Sequence, residues 1–106
     1  MQRNRDSKRP DNVLMDLGFE DAEELTAKAT LALKINELVS ERGLSQMEAA
    51  GIIGMPQPKI SQIRNYKLRN ISLERLMLAL TALGQNVKIV VSPSSARVSP
   101  RISVAA

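Results

Sequence analysis

A chain of 106 residues, 43% of them hydrophobic, is sized for one compact domain around a modest core. Its formal charge of +4 and pI near 9.9 suit a polyanionic partner such as nucleic acid. The absence of Cys rules out disulfides, thiolate metal sites and a cysteine nucleophile, and the absence of His removes the commonest general base and transition-metal ligand, so neither an enzyme nor a metal or cofactor protein is expected.

No apolar run is long enough to cross a bilayer, and the opening MQRNRDSKRPDN is charged rather than leader-like. Both features predict a soluble cytoplasmic protein with no membrane partner. Residues 1–12 are polar and mixed in charge, which predicts a mobile arm whose Arg3, Arg5, Lys8 and Arg9 could reach phosphates. From Asp11 to Glu24 the charge reverses: Asp11, Asp16, Glu20, Asp21, Glu23 and Glu24 have no Lys or Arg among them. This end is expected to face away from a polyanion.

Asp21, Glu23 and Glu24 favour the dipole of a helix starting there. Its apolar positions are Leu25, Ala29, Ala32, Leu33, Ile35, Leu38 and Val39, spaced by threes and fours, with Arg42 in the last turn and Gly43 as the stop. Val13, Leu14, Leu17 and Phe19, upstream, are apolar enough to pack on the body or on a partner. Ser45, with Glu48 three residues on, predicts a capped second helix carrying Met47, Ala49, Ala50, Ile52 and Ile53 and ending at Gly54. Pro56 and Pro58 bracket Gln57, so a third helix should begin there and run to about Asn65, burying Ile60 and Ile63.

Ser72 caps a fourth helix with Leu73, Leu76, Met77, Leu80 and Leu83 inward and Gly84 as terminator. Met15, Met47, Met55 and Met77 read as core filling. After Gly84 the pattern becomes extended: NVKIVV, Asn86 to Val91, is β-branched and near-alternating, which predicts a strand over 85–92 with Lys88 outward. A lone strand leaves its backbone groups unpaired. The economical partner is the same strand of a second copy, making Val87, Ile89 and Val91 dimerisation residues; the alternative is an edge pairing with residues 100–105. Residues 93–106, rich in Ser and Pro, predict a flexible tail.

The expected fold is therefore mostly α, a bundle of four to five helices over 13–84 plus one short C-terminal strand. Within it, residues 45–65 hold Ala50, Gly54, Ile60 and Ile63 at spacings of four, six and three, the pattern of a helix-turn-helix. On those residues the chain resembles the lambda repressor and Cro-like helix-turn-helix family, also called XRE. The resemblance covers Leu31 to Leu83 as four consecutive helices, with Gln46, Ala50, Gly54, Gln57, Ile60 and Ile63 at motif positions. Within the family, LERLMLALTALGQNVKIVV, Leu73 to Val91, is similar to HigA-like antitoxins. The chain departs from its relatives at Pro56, where a Ser or Thr usually caps the third helix.

Groove chemistry gives the outer residues their expected roles. A helix fits the major groove of B-DNA and offers the side chains near its start to base edges. Gln57 suits an adenine, and Lys59 and Arg64 suit guanine or phosphate. Ser61, Gln62 and Asn65 complete a polar face, while Gln46, Lys67 and Arg69 suit the DNA backbone. Ordinary solvated helix residues are the plain alternative for Gln62, Arg64 and Asn65. Between Gln57 and Arg75 there are five basic residues (Lys59, Arg64, Lys67, Arg69, Arg75) and one acid (Glu74), a local excess of 5 − 1, or +4. With only Phe19 and Tyr66 as aromatics, a base-stacking platform for single strands is not expected.

The sequence thus predicts a sequence-specific DNA-binding repressor acting as a homodimer on a palindromic operator. The resemblance further implies the antitoxin of a HigBA-like pair, repressing its own operon and neutralising a RelE/HigB-like RNase toxin. Two alternatives stand beside it: a stand-alone phage-type regulator, and a protein-interaction module whose helix-turn-helix no longer reads DNA.

Overall fold

The computed structural model describes residues 14–106, with side chains described from residue 22. The arm expected over 1–12 lies outside the described residues. Four helices follow in order: α1 (Leu14–Glu41), α2 (Gln46–Ile53), α3 (Gln57–Arg64) and α4 (Leu73–Ala82).

α1 corrects the expectation that the first helix opens near Asp21: it is continuous for 28 residues from Leu14 and absorbs the apolar segment upstream. Among the described residues there is no separate fifth helix. No proline interrupts this span, and the single Gly18 costs only about 1 kcal/mol within a helix, too little to break it. Asp21, Glu23 and Glu24 consequently sit within α1 rather than at its first turn.

The other helices are eight to ten residues long. Helices so short are marginal in water, so packing decides whether they form. α1 lays Leu31, Ala32, Ile35, Leu38 and Val39 against α4, whose Leu76, Ala79 and Leu80 are buried in the same cluster as Ile60 and Ile63 of α3 and Ala49 of α2. Full burial of each large side chain contributes about 1.5–3 kcal/mol before the entropy of ordering the chain is set against it.

Some residues expected inside are outside. On α2, Met47 is 70% exposed and Ile52 47%, because an eight-residue helix buries one narrow face and Ala49 occupies it; on α1, Leu33 is 50% exposed, beside the fully buried Ala32. Ala50, expected at the helix crossing, is half-buried against the core, and Met55 is fully buried.

The helix boundaries follow local chemistry. Ser45 Oγ accepts the Glu48 amide at 3.0 Å while Glu48 Oε1 accepts the Ser45 amide at 2.9 Å, a complete capping box. Ser72 Oγ accepts the Arg75 amide at 3.1 Å. At the other ends, Gly43, Gly54 and Gly84 take left-handed φ values of 63°, 80° and 84°. Arg42 does not serve the end of α1: its Nη2 donates to the Leu83 carbonyl at 2.7 Å, capping the far end of α4.

The strand expected over 85–92 is not formed in the single chain, because no neighbouring segment offers a ladder; Val87 is half-buried on the core, and Ile89 and Val91 are exposed. The edge pairing with 100–105 is also not formed. Residues 93–106 carry no helix or strand, yet the Ile102 amide donates to Glu23 Oε1 at 3.3 Å and Val104 packs on the core.

An alanine at Gly54 would meet nothing within 4 Å, so the penalty of Gly54→Ala is conformational alone. It should lower unfolding stability by about 1–2 kcal/mol in urea titration with the m-value unchanged.

Candidate nucleic-acid interface

α2 and α3 are joined through Gly54-Met55-Pro56. The amides of Gly54 and Met55 both donate to the Ala50 carbonyl, at 2.9 and 3.2 Å, which closes α2 and turns the chain at once. The turn needs positive φ, 80° at Gly54, which glycine adopts with least strain. Ala49, Met55, Ile60 and Ile63 then fill the space between the two helices.

Pro56 occupies the N-cap of α3 with φ −60° and ψ 146° and makes no side-chain cap. The missing hydroxyl is offset in two ways. Pro58, inside the first turn, has no amide to satisfy. The Pro56 carbonyl accepts both the Lys59 amide, at 2.9 Å, and the Ile60 amide, at 3.3 Å. Among the described residues the Gln57 amide is left as the first-turn donor with no main-chain acceptor.

The predicted contact residues separate into two groups. Gln57, Arg64, Asn65, Lys67 and Arg69 are exposed, whereas Gln46, Lys59, Ser61 and Gln62 are half-buried. Lys59 Nζ donates to the Asn70 carbonyl at 3.2 Å, bracing α3 against the loop that follows it. Asn65 Nδ2 turns back to the Ser61 carbonyl at 2.9 Å. Gln62 Oε1 is buried with no hydrogen-bond partner among the described residues.

Behind this face stand residues that the sequence pattern did not single out. Asn36 Nδ2 donates to the Ile63 carbonyl at 3.1 Å, holding the last turn of α3. Lys28, 4% exposed, donates through Nζ to the Leu68 carbonyl at 3.2 Å and pairs with Glu24 Oε2 at 3.1 Å. The signal was present in the periodicity: Lys28 lies four residues before Ala32, and Asn36 four after it, so two polar residues fall on the apolar stripe of α1. No group of three or more His, Cys, Asp or Glu side chains among the described residues could hold a metal ion. No helix among them is long and apolar enough to cross a membrane.

The order of the four helices, with the tight turn at Gly54 and a polar third helix, matches a known pattern. A family model described as a helix-turn-helix domain covers residues 13–92. A solved structure titled "Putative XRE Family Transcriptional Regulator" is 47% identical and superposes with a TM-score of 0.76, covering 81% of this chain and 98% of that one. This chain belongs to the XRE helix-turn-helix family. No curated protein matches it. The span matched by the helix-turn-helix family model takes in all four helices and the 86–91 stretch and leaves out residues 1–12 and 93–106.

Lys28→Met keeps the apolar stem but removes the charged donor to the Leu68 carbonyl, which then keeps only the Ile71 amide at 3.1 Å, and it removes the ion pair with Glu24. Stability should fall by about 1–3 kcal/mol. Amide exchange should quicken over Lys67–Ile71 more than over α4, read by NMR.

Proposed function

We propose that this protein is a transcriptional repressor that binds duplex DNA sequence-specifically, as a homodimer on a palindromic operator. The observation that carries the reading is the exposed polar edge of α3 and its following loop, Gln57, Arg64, Asn65, Lys67 and Arg69, on a helix fixed from behind by α1 and α2. The family supplies the mode: the second helix of the motif lies in the major groove, and the loop beside it meets phosphates. Gln57, exposed at the first position of α3, is the base-reading residue, suited to the N6 and N7 edge of adenine. Arg64 reaches guanine or phosphate, and Lys67 and Arg69 hold the DNA backbone. Lys59, Ser61, Gln62 and Asn65 complete the face, and Gln46 meets a phosphate near the start of α2.

The dimer pairs residues 85–92 of two copies through Val87, Ile89 and Val91. Binding of a palindromic operator requires two α3 helices about one helical turn of DNA apart, roughly 34 Å. The similarity of Leu73–Val91 to HigA-like antitoxins extends the reading to an antitoxin that also binds a RelE/HigB-like toxin. That extension rests on resemblance. Copurification of a small basic RNase encoded beside this gene supports it, and the absence of any such neighbouring frame returns the protein to a stand-alone regulator.

Two measurements test the core of the reading. With the DNA upstream of its own gene and a random duplex as probes, Gln57→Ala should cost about 1–3 kcal/mol on the specific site and little on the random one. Lys67→Ala should weaken both alike and lower the salt slope by about 1. Equal binding of both duplexes by wild type and Gln57→Ala alike would remove base readout by that side chain.

Ile89→Pro should convert dimers to monomers in sedimentation equilibrium, because proline removes a ladder donor. An unchanged mass would move the interface to the helices.

A further inference from the structure

All four helices are followed by a residue at positive φ, but only three of those residues are glycine. After α1, α2 and α4 the residue is Gly43, Gly54 or Gly84. After α3 it is Tyr66, at φ 58°. Tyr66 makes the same closing bonds that glycine makes elsewhere: its amide donates to the Ile63 carbonyl at 3.1 Å, and the Lys67 amide donates to the Gln62 carbonyl at 2.8 Å. These match the bonds after α4, where Gly84 donates to Thr81 and Gln85 to Leu80. The backbone therefore asks for glycine at this place, and a side chain there is strained.

Core packing does not account for the tyrosine. Its side chain stays 46% exposed, and it lies outside the core cluster and the apolar residues packed on it. Its hydroxyl has no hydrogen-bond partner among the described residues. Its neighbours in the chain are the exposed Arg64, Asn65, Lys67 and Arg69, so the phenol stands inside a basic stretch without an acidic residue, just past the end of the reading helix.

We propose that Tyr66 is a DNA-backbone contact: its phenolic O–H donates to a phosphodiester oxygen flanking the bases read by α3, and the left-handed strain is tolerated for that contact. A hydroxyl is a good donor to a phosphate oxygen and carries no sequence information, so its part is positioning. This rests on the DNA-binding reading above.

Two variants separate contact from strain. Tyr66→Gly should raise Tm by several degrees, because the backbone is relieved, while weakening binding about tenfold, the loss of one hydrogen bond to a charged group. Tyr66→Phe, with the fold and Tm unchanged, should show most of the same loss. Fluorescence anisotropy with a labelled 30-base-pair duplex from upstream of the gene, and with a random duplex of equal length, should show equal fold losses on both. The salt slope should keep its wild-type value, unlike that of Lys67→Ala, because no cation is removed. Tyr66→Gly or Tyr66→Phe binding as tightly as wild type would overturn the contact. Losses confined to the specific duplex would overturn the backbone assignment in favour of base contact. Failure of wild type to bind either duplex would overturn the DNA reading itself, a different result from a wild type that binds with indifferent Tyr66 variants.

Discussion

The placement of α3 depends on hydrogen bonds that α1 and its end send into carbonyls of other segments. A helix leaves its last carbonyls without intrahelical partners, and in an eight-residue helix those are half of the total. Asn36 takes Ile63 of α3, Lys28 takes Leu68 in the loop that follows it, and Arg42 takes Leu83 at the end of α4. From Lys28 to Arg42 the chain advances roughly 20 Å along the α1 axis at helical rise, so one rod fixes three points on the rest of the molecule. Apolar burial supplies most of the stabilisation, but it is non-directional and would tolerate a small rotation of α3 about its own axis. A donor aimed at one carbonyl restricts that rotation. For a helix whose function would depend on which side chains face outward, this restriction matters more than a further increment of buried area.

α3 is also the helix that breaks most local rules. It starts at a proline with no side-chain cap, leaves a buried Gln62 oxygen without a partner among the described residues, and ends on a tyrosine where its neighbours end on glycine. Taken singly, each lowers stability; together they make α3 the element most dependent on Ile60, Ile63 and the grip of Asn36. Departures from local consistency gather where a surface is shaped for something other than folding. α2, by contrast, is conventional at both ends, with a full capping box and a glycine stop. The pair divides into a helix optimised to stay in place and a helix held in place by others.

The boundaries of α2, α3 and α4 were legible in the sequence because their signals act within a few residues: Ser45 with Glu48, Ser72, the Pro-Gln-Pro start, and the glycines at 43, 54 and 84. Ile60 and Ile63 were legible for the same reason, as the apolar positions of a short polar helix. The start of α1 was not, since an acidic run suits a first turn and a helix interior equally well when nothing upstream breaks the helix. Met47 and Ile52 misled because composition reports how much apolar surface a helix has and not how narrow its buried face is. Lys28 and Asn36 belong to a further class. Their positions on the stripe could be read, but which carbonyls they meet, 40 and 27 residues away respectively, is decided by tertiary packing. Lys59 shows a related limit on the face proposed to read DNA, where it spends a donor on the Asn70 carbonyl, while Asn65 turns back on Ser61 within its own last turn.

The stretch after Gly84 shows why strand propensity is a statement about partners. Its β-branched residues fit a pleated surface, yet the single chain provides no second strand, and Ile89, Val90 and Val91 stand 74%, 78% and 92% exposed. Water satisfies the backbone there, but it leaves three large apolar side chains in adjacent places uncovered. Pairing with a second copy of the same stretch would satisfy the backbone and cover part of that surface together. Val87, packed on the core, ties the beginning of the stretch to the body. In the proposed dimer the distance between two reading helices would then be transmitted through a short tether rather than a free linker, and half-site spacing would follow from the geometry of one chain.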